Sequence, residues 1–254
     1  MSLGPSDVVA GRYELIRSLG GGEQGRVFLA DDRHLSRQVV LRLVEPGHPE
    51  RAAALRDEGR MMSAVQFDCL QAIPVLVDGE LPGGGAYLAS ELVEGIPLEE
   101  VIRSRAPLPV ARARSLALGL LDAGLAVRRS ARDRGDVVVA SALVTSDGHI
   151  RVTRFARAPG PGPEGADPAV AAVAGTLSQL LEGGPVPPSL EDVIGDARAG
   201  RIQSAEVLRS RLLNVPAGVE GDAETMPPFT RWPFAVVAAI LLMVIVVIAL
   251  IWAL

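Results

Sequence analysis

The sequence contains no lysine, because all 25 of its basic residues are arginines. It also has a single asparagine, Asn214, a single cysteine, Cys69, and three histidines. Without lysine, no side-chain amine can form a Schiff base and no ammonium group can bind a nucleotide phosphate. One cysteine excludes a disulfide within the chain, which fits a reducing compartment. The histidines lack the spacing of zinc ligands, and the abundance of Ala, Gly, Arg and Pro suggests that a GC-rich genome contributes to the missing lysine.

The charge of the chain argues against a nucleic-acid partner. The formal net charge is −5, and the arginines are spread along the sequence instead of forming a basic stripe. The length of 254 residues suggests one domain with an accessory segment.

The C-terminal segment, residues 234–254, carries no charged residue and predicts a transmembrane helix. Such a helix would be roughly 31 Å long, about the thickness of the hydrocarbon layer. Trp232 and Trp252 lie at its two ends, where interfacial aromatics are common, and Arg231 precedes it. We therefore expect a single-pass protein of the cell membrane with a cytoplasmic N-terminal domain, and no domain beyond the helix. The first residues lack the basic and apolar regions of a signal peptide.

The hydropathy pattern divides the rest of the chain into two parts. Residues 11–95 are rich in predicted strands and contain one helix, at residues 49–65. Residues 96–213 are mainly helical, with two short strands at 142–145 and 149–153. The helices of this second part are predicted at residues 97–104, 109–129, 169–182, 190–199 and 205–213. Residues 1–10 form a leader, and residues 214–233 a flexible linker before the membrane.

A glycine cluster lies between two predicted strands near the N-terminus. Gly20, Gly22 and Gly25 form a G-x-G-x-x-G pattern, and the following residues, starting at Arg26 and Val27, predict a strand. In a dinucleotide-binding fold the same pattern opens a helix. A glycine hairpin between strands instead lays its backbone over phosphates, as in protein kinases. An ordinary glycine-rich hairpin remains the alternative when the cluster is taken alone.

Further motifs follow in the order found in kinases. Arg42 ends a V-V-L-R strand, Glu58 lies on the predicted helix, and Ser90 precedes a hinge-like E-L-V-E-G segment. Residues 145–158 (TSDGHIRVTRFARA) are similar to the segment that ends in D-F-G, and residues 201–206 to the last motif of the family. Over residues 11–213 the chain resembles a bacterial eukaryotic-like serine/threonine protein kinase. The resemblance implies an α+β, two-lobed protein-kinase-like fold, with a β-rich N-lobe (11–95) and a shortened helical C-lobe (96–213).

The resemblance also implies a nucleotide site with altered residues. Arg42 replaces the strand lysine that pairs with Glu58, Arg154 replaces the metal-binding aspartate, and Ser141 replaces the metal-binding asparagine. Asp136 keeps the place of the catalytic base. The complete set of nucleotide-site positions is Gly20, Gly22, Gly25, Val27, Arg42, Glu58, Ser90, Ser141 and Arg154. A guanidinium at the metal position repels Mg²⁺, so we expect no metal and no required cofactor, while ATP binding stays open.

The part of this chain that corresponds to the family's activation segment lacks the usual phosphorylation sites. Between Arg154 and Gly175 there is no Ser, Thr or Tyr to phosphorylate. We therefore expect a membrane-anchored pseudokinase, which acts as a cytoplasmic signalling or scaffold module for a cytoplasmic or membrane protein partner. The alternative is an unorthodox kinase or ATP-binding protein that uses Arg42 and Arg154 in place of lysine and Mg²⁺. A helix-driven homo-oligomer, packed through Ala235 and Ala239, is a third hypothesis; Thr225 and Thr230 of the linker are candidate phosphorylation sites.

Overall fold

A computed structural model describes residues 3–22, 25–130, 137–158, 160 and 165–216. The chain divides into two units, Met1–Glu220 and Gly221–Leu254, of which the second lies outside the described residues. Among the described residues no helix is both long enough and apolar enough to cross a membrane. The predicted span 234–254 is not among those residues, so the transmembrane helix stays a prediction.

The N-lobe is built on a six-stranded antiparallel sheet with the order β1-β2-β3-β4-β6-β5. The burial of β4 alternates, because Val39, Leu41 and Leu43 point into the core while their neighbours are more exposed. The first strand falls within residues 1–10, so the segment predicted as a leader contributes an edge to the sheet. The strands are β1 (Val8–Val9), β2 (Tyr13–Gly22), β3 (Gly25–Asp32), β4 (Arg37–Val44), β5 (Val75–Leu81) and β6 (Gly85–Glu91).

One helix, α1 (Pro49–Val65), packs on strands β5 and β6. A proline in its first turn suits the helix start, because the missing N–H has no partner there anyway. The helix lies close to the sheet at Gly59, where an added Cβ would meet Leu88 Cδ1 at 2.9 Å. Its buried residues recur every three or four positions: Ala52, Leu55, Glu58, Gly59, Met62 and Val65.

The C-lobe contains five described helices and a three-stranded sheet of order β7-β8-β9. Asp167 fixes three of its helices: it caps α4 by accepting from Ala169 N at 2.9 Å, accepts from Ala205 N at 3.2 Å on α6, and pairs with Arg128 of α3. The elements are β7 (Ile96–Pro97), α2 (Leu98–Arg105), α3 (Val110–Ser130), β8 (Val137–Val144), β9 (Ile150–Arg157), α4 (Pro168–Leu181), α5 (Pro188–Arg198) and α6 (Ala205–Asn214).

Strands β8 and β9 are longer than the sequence predicts. The sequence predicts short strands at 142–145 and 149–153, whereas the observed strands run over Val137–Val144 and Ile150–Arg157. The extra residues continue the antiparallel ladder, with Val138 opposite Ala156 and Val139 opposite Phe155. The physical reason is the run of β-branched valines, which favours extended backbone in a segment whose kinase resemblance implies a loop.

The apolar core consists of two clusters that do not follow the boundary between the lobes. One cluster combines β2, β3 and β4 residues such as Leu15, Phe28 and Leu41. The other joins α1 to the C-lobe helices and includes Met62 and Phe155. Helix α1 therefore shares its main core with the C-lobe.

A backbone bridge reinforces that connection just after α1. Val152 of β9 donates its N–H to Gln71 O at 2.6 Å and accepts from Ile73 N at 3.0 Å. These bonds attach the segment between α1 and β5 directly to the strand that carries Arg154.

Candidate nucleotide cleft

The glycine cluster forms the tip of the β2–β3 hairpin. Gly20 pairs with Val27, and Gly22 with Gly25, in an antiparallel register. Gly25 has φ +110°, and an added Cβ would lie 2.4 Å from Leu43 O, so only glycine fits this close approach. The pattern thus lies in a hairpin between strands, not at a helix start.

Arg42 and Glu58 form an ion pair behind this hairpin. Arg42 lies on β4, opposite Val27 and Leu88 in the neighbouring strands. Its Nη1 donates to Glu58 Oε1 at 2.5 Å, and the side chains are only 18% and 11% exposed. Burial raises the pKa of Glu58, and the charge of Arg42 and its hydrogen bond oppose that rise. The arginine therefore occupies the pairing position that the sequence assigns to it.

Arg154 brings a second cation to the same site. It lies on β9 opposite Ser141 of β8, and its charge also lowers the pKa of Glu58. Its Nε is buried and has no hydrogen-bond partner among the described residues. The guanidinium therefore has a free donor in a partly desolvated position.

These residues meet in a cleft of about 600 Å³. Of the positions predicted from sequence, it unites the three glycines of the hairpin with Val27, Arg42, Ser141 and Arg154, while Glu58 reaches it through Arg42. The lining residues are Gly20, Gly21, Gly22, Gly25, Val27, Arg42, Glu99, Ala140, Ser141 and Arg154.

Two predicted positions are not part of that lining. Ser90 is half-buried on β6, opposite Val40 and Val75, and is absent from the lining of the cleft. Asp136, the position of the catalytic base, lies outside the described residues.

The set of positions predicted from the sequence lacks three residues of the cleft lining: Gly21, Glu99 and Ala140. Glu99 is in the first turn of α2, where an acidic residue is explained by the helix dipole alone. Its place directly after the hinge-like segment was the signal that could have identified it.

The donor set of the cleft suits phosphate oxygens better than Mg²⁺. Two guanidinium groups and the N–H groups of a glycine hairpin are donors for anions. Mg²⁺ needs several oxygen ligands, preferably carboxylates, but Glu99 is the only carboxylate that lines the cleft in the described part of the chain. Within that part, no three His, Cys, Asp or Glu residues are grouped so that they could hold a metal ion. The residues present therefore do not fit the metal of an ordinary kinase.

The two lobes, the glycine hairpin and the strand–helix ion pair together define a protein-kinase-like fold. The chain belongs to the phosphotransferase enzyme family (APH), whose sequence pattern matches residues 15–193.

Several bacterial serine/threonine kinases are similar in sequence. The protein is 28% identical over 158 residues to the kinase PknA of Mycobacterium tuberculosis, which covers 58% of this chain and 35% of PknA. It is 28% identical over 220 residues to the probable kinase SCO3848 of Streptomyces coelicolor, with 85% and 32% covered. PrkC of Bacillus subtilis is 27% identical over 148 residues, with 58% and 23% covered. The chain thus spans about a third or less of the length of these relatives.

Solved structures agree with the fold. The kinase domain of PknI from Mycobacterium tuberculosis superimposes with a TM-score of 0.63 at 23% identity, covering 84% of this chain and 99% of that domain. This confirms the predicted two-lobed kinase-like fold.

Proposed function

We propose that this protein is a kinase-fold module that binds a protein partner at the membrane and does not catalyse Mg²⁺-dependent phosphoryl transfer. Its N-terminal domain is cytoplasmic in this proposal, and residues 234–254 anchor it. The kinase relatives define the fold from which the module derives, while the residues of the cleft argue for the change of function.

The observation that carries the proposal is the position of Arg154 in the cleft. Phosphoryl transfer needs Mg²⁺ to bridge the phosphates and neutralise the developing charge. Arg154 lies opposite Ser141. The resemblance assigns the places of the two metal ligands to these residues, so a cation and a hydroxyl would stand where Mg²⁺ binds in a kinase. A divalent cation beside a guanidinium is repelled, and a neutral hydroxyl contributes little to offset that repulsion.

The backbone supports the same conclusion. Val138 and Val139, which stand in the place of the catalytic loop, are bonded into the β8–β9 ladder. By the resemblance, Val138 also stands at the position where the family's catalytic loop carries a cation. A hydrogen-bonded strand leaves these residues less freedom to adopt a loop around a substrate hydroxyl.

The test is a phosphorylation assay with the full chain, radiolabelled ATP and Mg²⁺, using generic protein substrates and autophosphorylation. We expect incorporation no higher than that of the Asp136→Asn variant. Robust Mg²⁺-dependent transfer that Asp136→Asn abolishes would overturn the proposal.

A second candidate function is metal-independent nucleotide binding. It is favoured by the open cleft of about 600 Å³, which Arg42 and Arg154 line together with the glycine hairpin. In a thermal-shift titration with ATP plus EDTA, this candidate predicts stabilisation that Arg154→Ala removes. Arg33→Ala is the matched control, because it removes the same charge and Arg33, in an exposed pair with Glu14, lines neither cavity. No shift with any nucleotide would exclude this candidate and leave the binding module.

The membrane anchor and the oligomer need a separate test. We expect the full chain to sediment with membranes and a chain that ends at Asn214 to remain in the supernatant. To test the oligomer, residues 234–254 are replaced by an unrelated transmembrane helix. We expect an oligomer that packs through Ala235 and Ala239 to be lost. An oligomer that persists after the exchange would contradict packing through these alanines. Membrane association of the truncated chain would contradict the anchor.

A further inference from the structure

A second cavity, of about 450 Å³, lies between α1 and the end of β9. Of its lining residues only Arg154 also lines the nucleotide cleft. Ligand pockets in proteins commonly have volumes of roughly 300–1,000 Å³, so the cavity is large enough for a small organic molecule. The lining residues are Arg51, Ala54, Leu55, Asp57, Glu58, Arg60, Met61, Arg154, Phe155, Ala156 and Arg157.

The cavity has an excess of positive charge, with four arginines and two carboxylates in its lining. Both carboxylates already have partners: Asp57 accepts from Arg60 at 2.8 Å, and Glu58 accepts from Arg42. Their charges are therefore compensated by these two arginines.

Three arginines of the lining, Arg51, Arg154 and Arg157, have no hydrogen-bonded acid among the described residues. Arg51 comes from the first turn of α1, and Arg154 and Arg157 from the end of β9. These arginines therefore reach the cavity from two different elements. A guanidinium binds a phosphate or a carboxylate through two parallel N–H hydrogen bonds, so this arrangement suits an anionic group.

The inner surface of the cavity is apolar. Its accessible apolar atoms come from Ala54, Met61 and Ala156, which are exposed or partly buried. Phe155 and Leu55, at 1% and 3% exposure, support this surface from the core. An inorganic anion would leave this surface uncovered, whereas a ligand with an apolar body would bury it and gain from the hydrophobic effect.

We propose that this cavity is a binding site for an organic anion, in which one phosphate or carboxylate group is attached to an apolar body. The anionic group binds at the rim to Arg51 and Arg157 and reaches toward Arg154, and the apolar body packs on Met61 and Ala156. This site shares only Arg154 with the nucleotide cleft. Binding here does not depend on a ligand in the cleft, so the inference goes beyond the proposed function.

The test uses 4-fluorophenyl phosphate as the probe and ligand-observed fluorine NMR on the full chain in a nonionic detergent. From the size of the probe, we expect a Kd on the order of 0.1–1 mM. The neutral 4-fluorophenol and inorganic phosphate, used as a competitor, are each expected to bind more weakly, because each lacks one half of the interaction.

The decisive variant is Arg51→Gln/Arg157→Gln, which removes two exposed cations that do not line the cleft. We expect its Kd to be about fivefold higher, since each exposed charge contact contributes modestly. Arg56→Gln is the matched control on the same helix, because Arg56 pairs with Glu80 and does not line the cavity. The proposal is overturned if the double variant binds the probe as tightly as the native chain, if the phenol binds as well as the phosphate, or if the native chain shows no saturable binding.

Discussion

Replacement of Arg42 by methionine tests whether the buried ion pair holds α1 against the sheet. Methionine keeps most of the volume of the arginine stem but leaves the Glu58 carboxylate without its hydrogen-bond donor. Removing one partner of a buried pair typically costs about 3–5 kcal/mol, because the remaining charge stays desolvated. Arg42 and Glu58 are 18% and 11% exposed, so water reaches the pair and we expect a loss of about 2–3 kcal/mol, below that range.

The assay is equilibrium unfolding of the full chain in urea, followed by circular dichroism. With a urea dependence of about 2–3 kcal/mol per molar for a domain of this size, the expected loss moves the midpoint by about 1 M. Arg56→Met is the matched control, because it breaks an ion pair of the same helix in which Glu80 is 72% exposed. Such exposed pairs contribute about 0–1 kcal/mol, so the control should shift the midpoint little.

The pH dependence provides a second criterion. Burial raises the pKa of Glu58 above its ordinary value of 4.5, and Arg42 opposes that rise. Without Arg42 the pKa rises further. A carboxyl with a raised pKa contributes stability below its unfolded pKa and loses it as the pH rises through the folded pKa. The deficit of Arg42→Met should therefore be small in acid and grow toward neutral pH. A deficit independent of pH, or equal to that of Arg56→Met at pH 7, would refute this reasoning.

Two further predictions concern stability. Arg12 binds Asp32 through two hydrogen bonds of 2.8 and 2.7 Å and lowers the pKa of this carboxyl to about 2. The resulting stability is present above the ordinary pKa of 3.8 and is lost as the pH falls through about 2. Arg12→Ala should therefore lower the urea midpoint at pH 7, and the difference from the native chain should become smaller in acid. Arg33→Ala, which breaks an exposed ion pair, should change the midpoint little. Equal effects of the two substitutions would contradict the assignment. Phe155→Ala should cost about 3–5 kcal/mol in the same assay, and Phe67→Ala, at a side chain 88% exposed, less than about 0.5 kcal/mol. Similar losses at the two phenylalanines would contradict the core assignment.

The elements whose local signals agree with the fold could be predicted from sequence. Helix α1 is predicted over residues 49–65 and observed at Pro49–Val65, because a proline at its start and the apolar period point to the same boundaries. The observed ends of the C-lobe helices lie within two residues of the predicted ends. The glycine hairpin could be predicted because a strand, and not a helix, follows the G-x-G-x-x-G pattern.

The parts that could not be predicted depend on contacts distant in sequence. The first residues of β8 and the last residues of β9 were missed because the resemblance to a catalytic loop outweighed the β-branched residues at Val137 to Val139. Glu99 lies in the cleft because α2 packs against β7 and β8, and its only local signal is its place after the hinge-like segment. The second cavity arises where the arginines of α1 and β9 meet, and no motif spacing relates these two segments.

The division of the core has a consequence for motion. Helix α1 shares its apolar core with the C-lobe and is tied to β9 through Gln71, Val152 and Ile73, while strands β2 to β4 have a core of their own. When the cleft opens, we expect strands β2 and β3 with the glycine hairpin to move relative to α1. Strands β4 to β6 contribute Val44, Val75 and Leu88 to the core that α1 shares with the C-lobe. The ion pair of Arg42 and Glu58 adds a polar contact between β4 and α1 to this shared core, so we expect it to stay closed while the hairpin moves.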